Sequence, residues 1–452
     1  MKLITLSAFS LLATFSFAQP LLYNDGAMIK VQTGAVLYVE GGIQNTATGT
    51  IDNDGTIELK GNFVNAGMWE PSQPNILKFS GDASSTVTSG NAVYQSVVVQ
   101  KGNNFNVTLV DNMTVNTNLD FNAAGSTRLA TASSANLKIG PVGTVTGYDS
   151  DEYVATEGTG VMEKAVTANG TFFFPVGDLI NYSPLSSTYT GSAYAAATLK
   201  TKVNDLTHPN KPADASDFIS RYWDVDAAGI STYTNSLTGT YIPADLTGTA
   251  SLVKGAVYDG VEWSYADAAA GANIVIGSTN DAIADFTGTN FFGKAILKVF
   301  LSSSLPSSGV PPMNTAINSV IPLGSPYSAT PWNAPVVTAP SIPATATDWI
   351  LVETRDASIN IISQTSAFLL STGTIVNPDG TPLTLKNAVS SAIVSIRHRN
   401  HLGIRTIGNL DLVNPTMHDF STGTGQAYTN TTIAPIPPNT NMRLIGSTYA
   451  LW

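Results

Sequence analysis

Three segments of this chain superpose without gaps at a spacing of twenty residues, and that spacing leaves the N-terminal third few ways to fold. Leu37-Tyr38-Val39-Glu40-Gly41, Ile57-Glu58-Leu59-Lys60-Gly61 and Leu77-Lys78-Phe79-Ser80-Gly81 share one phase, which Val97-Val98-Val99 continues. In each unit the outer two positions are apolar and the middle one is usually polar, the period-2 pattern of a strand with one buried face. Ile43 and Phe63 fall at equivalent places, as do Asn45 and Asn65, and Asn53-Asp54-Gly55 and Asn65-Ala66-Gly67 supply turns between units. The glycines that close the units, Gly41, Gly61 and Gly81, let the chain turn a corner without a Cβ penalty. A fixed period of this length means one coil per repeat, each coil burying its neighbour's apolar face. Successive coils rise by ~4.8 Å, the spacing of paired strands. Residues 19–149 are therefore expected to form a parallel β-solenoid, with Leu59 and Phe79 in one internal stack. Leu119-Asp120-Phe121 and Leu137-Lys138-Ile139 are expected to continue it at looser spacing. A sandwich of hairpins is the competing reading, but hairpin sequences rarely hold a strict period.

Beyond residue 149 the period disappears. Strand-like segments separated by turn clusters replace it, among them 170–177, 193–200, Arg221-Tyr222-Trp223-Asp224-Val225 and Val261-Glu262-Trp263. Residues 150–290 are expected to be an antiparallel β-sandwich. Residues 302–347 hold nine of the 24 prolines, a composition typical of linkers. Strong strands lie on both sides, so a third sandwich-like module is assigned to 291–452 with 302–347 as its long loop. The fold class is all-β throughout: a solenoid followed by two β-sandwich-like modules.

The chain begins with a leader. Met1-Lys2 precedes an apolar run at 3–17, and Ser16-Phe17-Ala18 places small residues at a cleavage site, so residues 1–18 read as a signal peptide. The run is too short for a membrane anchor, and no later segment reads as transmembrane. The mature chain is expected to be secreted or displayed at the cell surface. Zero cysteine among 452 residues excludes disulfides, thiolate metal sites and thiol nucleophiles together. With 21 basic against 32 acidic residues and no basic run, nucleic acid is not an expected partner.

Three blocks resemble a known group, the multidomain cell-surface and secreted proteins of Bacteroidota exported by type IX secretion. They are residues 172–184; Arg221-Tyr222-Trp223-Asp224-Val225-Asp226 with Asp259-Gly260-Val261-Glu262-Trp263; and a C-terminal block. That last block runs from Ile321-Pro322-Leu323-Gly324-Ser325-Pro326-Tyr327 through Asp348-Trp349-Ile350-Leu351-Val352-Glu353 to Ile396-Arg397-His398-Arg399-Asn400-His401. The resemblance implies a secreted or surface-displayed protein and carries no catalytic residues with it. It also predicts a natural product continuing past Trp452 into an Asp/Asn-rich segment and a sorting domain; a chain ending there would instead be expected in the periplasm.

Chemistry-bearing residues are sparse. His398 and His401, flanked by Arg397 and Arg399, form the densest polar cluster and are expected to be packed and hydrogen-bonded. Joint metal ligation is the alternative and requires a turn after His398. Asp149, Asp151 and Glu152 carry oxygen ligands in a turn, which makes calcium the one cation to consider and otherwise leaves no cofactor. Trp223, Trp263, Tyr222 and Tyr258 offer either core aromatics or a sugar-stacking platform. No catalytic motif is present. The expected function is a non-enzymatic structural or adhesin-like protein presenting an interaction surface to an extracellular glycan or protein. The alternatives are a carbohydrate-binding or polysaccharide-cleaving β-helix protein and a subunit of an extracellular filament.

Overall fold

Alternating apolar and polar residues become stacked strands through the first third of the chain, in the register that the repeat requires. The computed structural model describes residues 21–451 except 71–74, 123–124, 213–214, 270–272, 387 and 430–440. The leader and Trp452 lie outside the described residues. The protein is all-β, 52% strand and 4% helix, and opens with a parallel β-solenoid of about 7 turns. Leu37 pairs with Ile57, Ile57 with Leu77, Leu77 with Val97 and Val97 with Leu119. Leu59 and Phe79 are direct register partners and both are fully buried. The intervening polar residues face outward, where Glu58 meets Lys78 at 3.2 Å and Glu40 meets Lys60 at 2.8 Å.

The first coils each contribute three strands, such as Met28–Val31, Val36–Val39 and Gly42–Asn45, to three parallel ladders. At one corner an asparagine ladder runs between coils: Asn24 Nδ2 donates to Asn45 Oδ1 at 2.8 Å, and Asn45 Nδ2 to Asn65 Oδ1 at 2.7 Å. These buried amides satisfy one another and nearby backbone carbonyls, as buried polar groups must. The closing glycines serve two different needs. A Cβ on Gly61 would lie 2.7 Å from the Gly41 carbonyl carbon of the coil before, whereas Gly81 has φ +85°. Leu137–Ile139 does not continue Leu119-Asp120-Phe121. It stacks on the first part of the nine-residue strand Met113–Phe121, and Thr144–Thr146 stacks on the second part.

Parallel pairing runs past residue 149 to Val176–Gly177. The strand Met162–Ala165 pairs in parallel with Leu137–Ile139 on one side and antiparallel with Ala193–Asn204 on the other. Solenoid and second module therefore share one 15-stranded sheet and one hydrophobic cluster from Val31 to Phe286. A four-stranded antiparallel sheet, which includes Leu185–Thr190 and Thr234–Thr240, covers this region. The two layers meet closely enough that a Cβ on Gly239 would lie 2.8 Å from the Trp223 ring.

The third module is built on a six-stranded sheet whose central strand, Ala346–Arg355, is buried along nearly its whole length. Both of its faces are covered. Ile350 and Val352 join a core with Phe300, Leu369, Val394 and Leu451, beneath short two-stranded ribbons such as Met442–Ile445 with Thr448–Leu451. Trp349 and Leu351 face a separate cluster supplied by the proline-rich segment, including Ile321, Tyr327 and Ala339. That segment is held by directed bonds: Trp349 Nε1 donates to Pro322 O at 2.8 Å, and Tyr327 Oη to Trp349 O at 3.0 Å. No helix among the described residues is long and apolar enough to cross a membrane.

Candidate functional site

A tight hairpin brings two of the four histidines together. Strands Ser391–His398 and His401–Arg405 pair antiparallel, with His398 opposite His401 and only Arg399 and Asn400 between them. The turn that joint action of the two rings requires is thus present. Their Nδ1 atoms lie 2.8 Å apart, with ring planes at 62°. His398 Nε2 lies 3.2 Å from Asp348 Oδ2 on the central strand, and the Asn400 backbone N–H donates to His398 Nδ1 at 3.3 Å.

These contacts assign the protons, because an ionised carboxylate only accepts. His398 must carry its hydrogen on Nε2, leaving Nδ1 as acceptor. His401 therefore carries its hydrogen on Nδ1 and presents a lone pair at Nε2, which accepts from Ser303 Oγ at 3.0 Å. A directional chain results, from Ser303 through His401 and His398 to Asp348. Burial would raise the Asp348 carboxyl, but the hydrogen bond from His398 and the charge of Arg399 outweigh it and hold the group below the usual carboxylate range. Arg399 Nη2 reaches both Asp348 oxygens, at 2.9 and 2.8 Å. Burial, with a smaller contribution from His398, pulls His401 down to about 4.

The chain opens into a cavity of about 260 Å³ lined by Ser303, Asn314, Thr347 and His401 among others. Thr347 is 1% exposed, and its hydroxyl has no hydrogen-bond partner among the described residues. Two larger cavities, of about 470 and 450 Å³, lie between Asn235 and Tyr265 and beside Val336 and Lys386. A base that titrates near 4 is a poor proton acceptor at neutral pH, so the arrangement suits holding a hydroxyl in place better than activating one. Both nitrogens of His398 are taken up within the protein, so the imidazoles form a hydrogen-bonded pair rather than a chelate. Among the described residues no group of three or more His, Asp or Glu is placed to hold a metal ion.

The four aromatics do not form one platform. Trp223 and Tyr222 are neighbours on a strand and point to opposite faces. Trp223 is fully buried, donates Nε1 to Ser183 O at 2.9 Å and packs on Phe286. Tyr222, Tyr258 and Trp263 instead gather around the buried His208, each ring edge-on to the imidazole at 4.8–5.3 Å. His208 Nε2 lies 2.9 Å from Asp285. Burial first, then repulsion from Asp285, pushes the neighbouring Asp224 up to about 6.

The carboxylates of the acidic turn go separate ways. Asp149 Oδ1 accepts from the backbone N–H groups of Asp151 and Glu152 at 2.7 and 3.0 Å. Glu152 accepts from Gly125 N at 3.2 Å, and Asp151 from Ser126 Oγ at 3.4 Å.

Composition and spacing do not single out the participants that complete these sites. Ser303 and Thr347 are ordinary residues in a Ser/Thr-rich chain, and Asp348 lies fifty residues from His398. Arg221, which stands out in sequence only as part of an aromatic block, is fully buried and reaches three carboxylates, Asp178, Asp205 and Asp245, at 2.7, 2.8 and 2.7 Å. Compared with known proteins, the chain matches no protein-family model, no curated protein and no solved structure.

Proposed function

We propose that this chain is a non-enzymatic scaffold of a secreted or cell-surface protein, which presents an interaction surface to an extracellular partner from a stiff β-solenoid stem. The observation that carries this reading is the strand Met162–Ala165, which belongs to both ladders at once. Solenoid and second module thereby join through paired backbone and a common core rather than through a flexible connection, the property a spacer needs. The leader-like residues 1–18 support export, and the resemblance to type IX cargo supports surface display.

The test is to express the full gene in its native cell and sequence the N-terminus of the extracellular or surface-shaved product. It should begin at Gln19, and incubation with mixed polysaccharides should release no new reducing ends. Retention inside the cell with Met1 intact would overturn the export reading. Reducing-end release that disappears when one carboxylate of the chain is substituted would replace the scaffold with the polysaccharide-cleaving alternative.

A further inference from the structure

We propose that the cavity behind the His398–His401 hairpin binds one neutral, hydroxyl-rich ring, the terminal or side-chain sugar of an uncharged glycan. The inference stands independently of the scaffold reading, since it concerns a site in the third module alone. Its first support is charge. Asp348, the sole charged side chain among the residues lining the cavity, is already engaged by His398 and by both contacts from Arg399. A cationic ligand would find that carboxylate occupied, and an anionic one would find no unpaired cation.

The second support is the polar groups themselves. Ser303 Oγ, His401 Nε2 and the Asn314 side chain are neutral, and their hydrogen-bonding directions are largely set in advance. Asn314 Oδ1 accepts from the Ala316 backbone N–H at 2.8 Å, which orients its amide. The relay fixes His401 Nε2 as an acceptor, so a ligand hydroxyl that replaces the direct Ser303–His401 bond can donate to the ring and accept from the serine. A sugar hydroxyl does both at once, whereas a carbonyl can only accept. Because the groups are held before the ligand arrives, little side-chain freedom is lost on binding.

The third support is the wall and the size of the cavity. Leu301, Ala316 and Ile317 line the same cavity and give the ring's C–H face an apolar wall. At about 260 Å³ the space falls below the ~300–1,000 Å³ of drug-sized pockets, which limits the occupant to about one ring.

The experiment is saturation-transfer NMR with calorimetry on the intact mature chain. The neutral probes are the methyl glycosides of glucose, galactose and mannose; glucuronic acid and glucosamine serve as charged counterparts. At least one neutral glycoside should bind, with both charged sugars about tenfold weaker or more. Ser303→Ala should reduce affinity by about tenfold, the equivalent of one well-placed hydrogen bond, with the melting temperature unchanged. Ser303 is exposed, so S303A tests the contact without emptying the core. Binding of no neutral glycoside, equal binding of the charged sugars, or undiminished binding by S303A would overturn the proposal. None of these outcomes bears on the export or rigidity of the chain.

Discussion

Arg221 shows how much a single buried side chain can organise. Its Nε, Nη1 and Nη2 each meet a different carboxylate, and those carboxylates come from three separate segments of the second module. Burial opposes the charge, but the hydrogen bonds to Asp245 and Asp178 prevail and raise its pKa. Removing it strands three acids around an emptied space, so Arg221→Met should cost about 3–5 kcal/mol in urea unfolding of the whole chain. Arg221→Lys should recover only part of that, because an ammonium cannot reproduce the planar fork; a lysine variant as stable as the parent would refute the three-way geometry. His401 yields a pH prediction of the opposite kind. Its folded pKa, about 4, lies below the ordinary 6.5, so between those values the unfolded chain binds a proton that the folded chain does not. The contribution of His401 to stability should therefore fall as pH drops from about 6.5 towards 4, against the opposite contribution of Asp224, whose pKa is raised to about 6. The groups facing it are His398, Asp348 and Arg399, of which Asp348 is held below its usual range and adds its own loss only at still lower pH. After discounting for partial exposure the loss assigned to His401 is about 1–2 kcal/mol. It is read as the difference in slope between the parent and His401→Gln across pH 7 to 4, and identical slopes would refute it.

The coil of the solenoid is the element in which residue pattern and structure agree most closely. Leu59 sits between Val39 and Phe79 in a column that continues through Val99 to Phe121, and all of these are buried. Leu59→Asp places an uncompensated charge in that column and should destabilise by about 3–5 kcal/mol. Glu58→Ala, one residue away but facing solvent, removes only a surface pair to Lys78 and should change stability by less than about 1 kcal/mol. Equal thermal melts for the two variants would contradict the stacked-coil geometry. The period was legible because one ladder repeats every twenty residues. It faded where coils lengthen, as between Asn65 and Ser89, 24 residues apart yet joined by a side-chain hydrogen bond. The asparagine ladder was visible only as two equivalent positions, Asn45 and Asn65. That their amides bond to each other, and that Asn24 joins them, depends on how the coils stack.

At the scale of the whole molecule, the two largest hydrophobic clusters among the described residues divide the chain. One runs unbroken from Val31 to Phe286, and the other begins at Phe291 with the third module's sheet. Elements that share a core and a sheet open together, so calorimetry should show at most two unfolding transitions. Leu59→Asp should lower the hydrogen-exchange protection of the strand Tyr222–Ser231 in the second module while leaving Ala346–Arg355 protected. Independent loss of protection in the solenoid alone would show that the shared sheet does not couple the two regions.

The all-β class, the solenoid and the sandwich-like character of the later modules were legible in the residues, because period and alternation are local properties that survive in any fold burying one face of each strand. Leu37, Ile57, Leu77 and Val97 announce their own stacking by position alone. The histidine hairpin was legible in part: His398 and His401 stood out, and the need for a turn between them came from strand geometry. Their partners did not, since Asp348 and Ser303 reach them from fifty and about a hundred residues away and carry no spacing that marks them. The aromatic residues were misgrouped for a related reason. Adjacent strand residues face opposite ways, and only the packing of the second sheet decides which face becomes core, burying Trp223 and leaving Tyr222, Tyr258 and Trp263 around His208. Long-range packing selects contacts among residues that look alike in sequence, and the candidate sugar site consists almost entirely of such contacts.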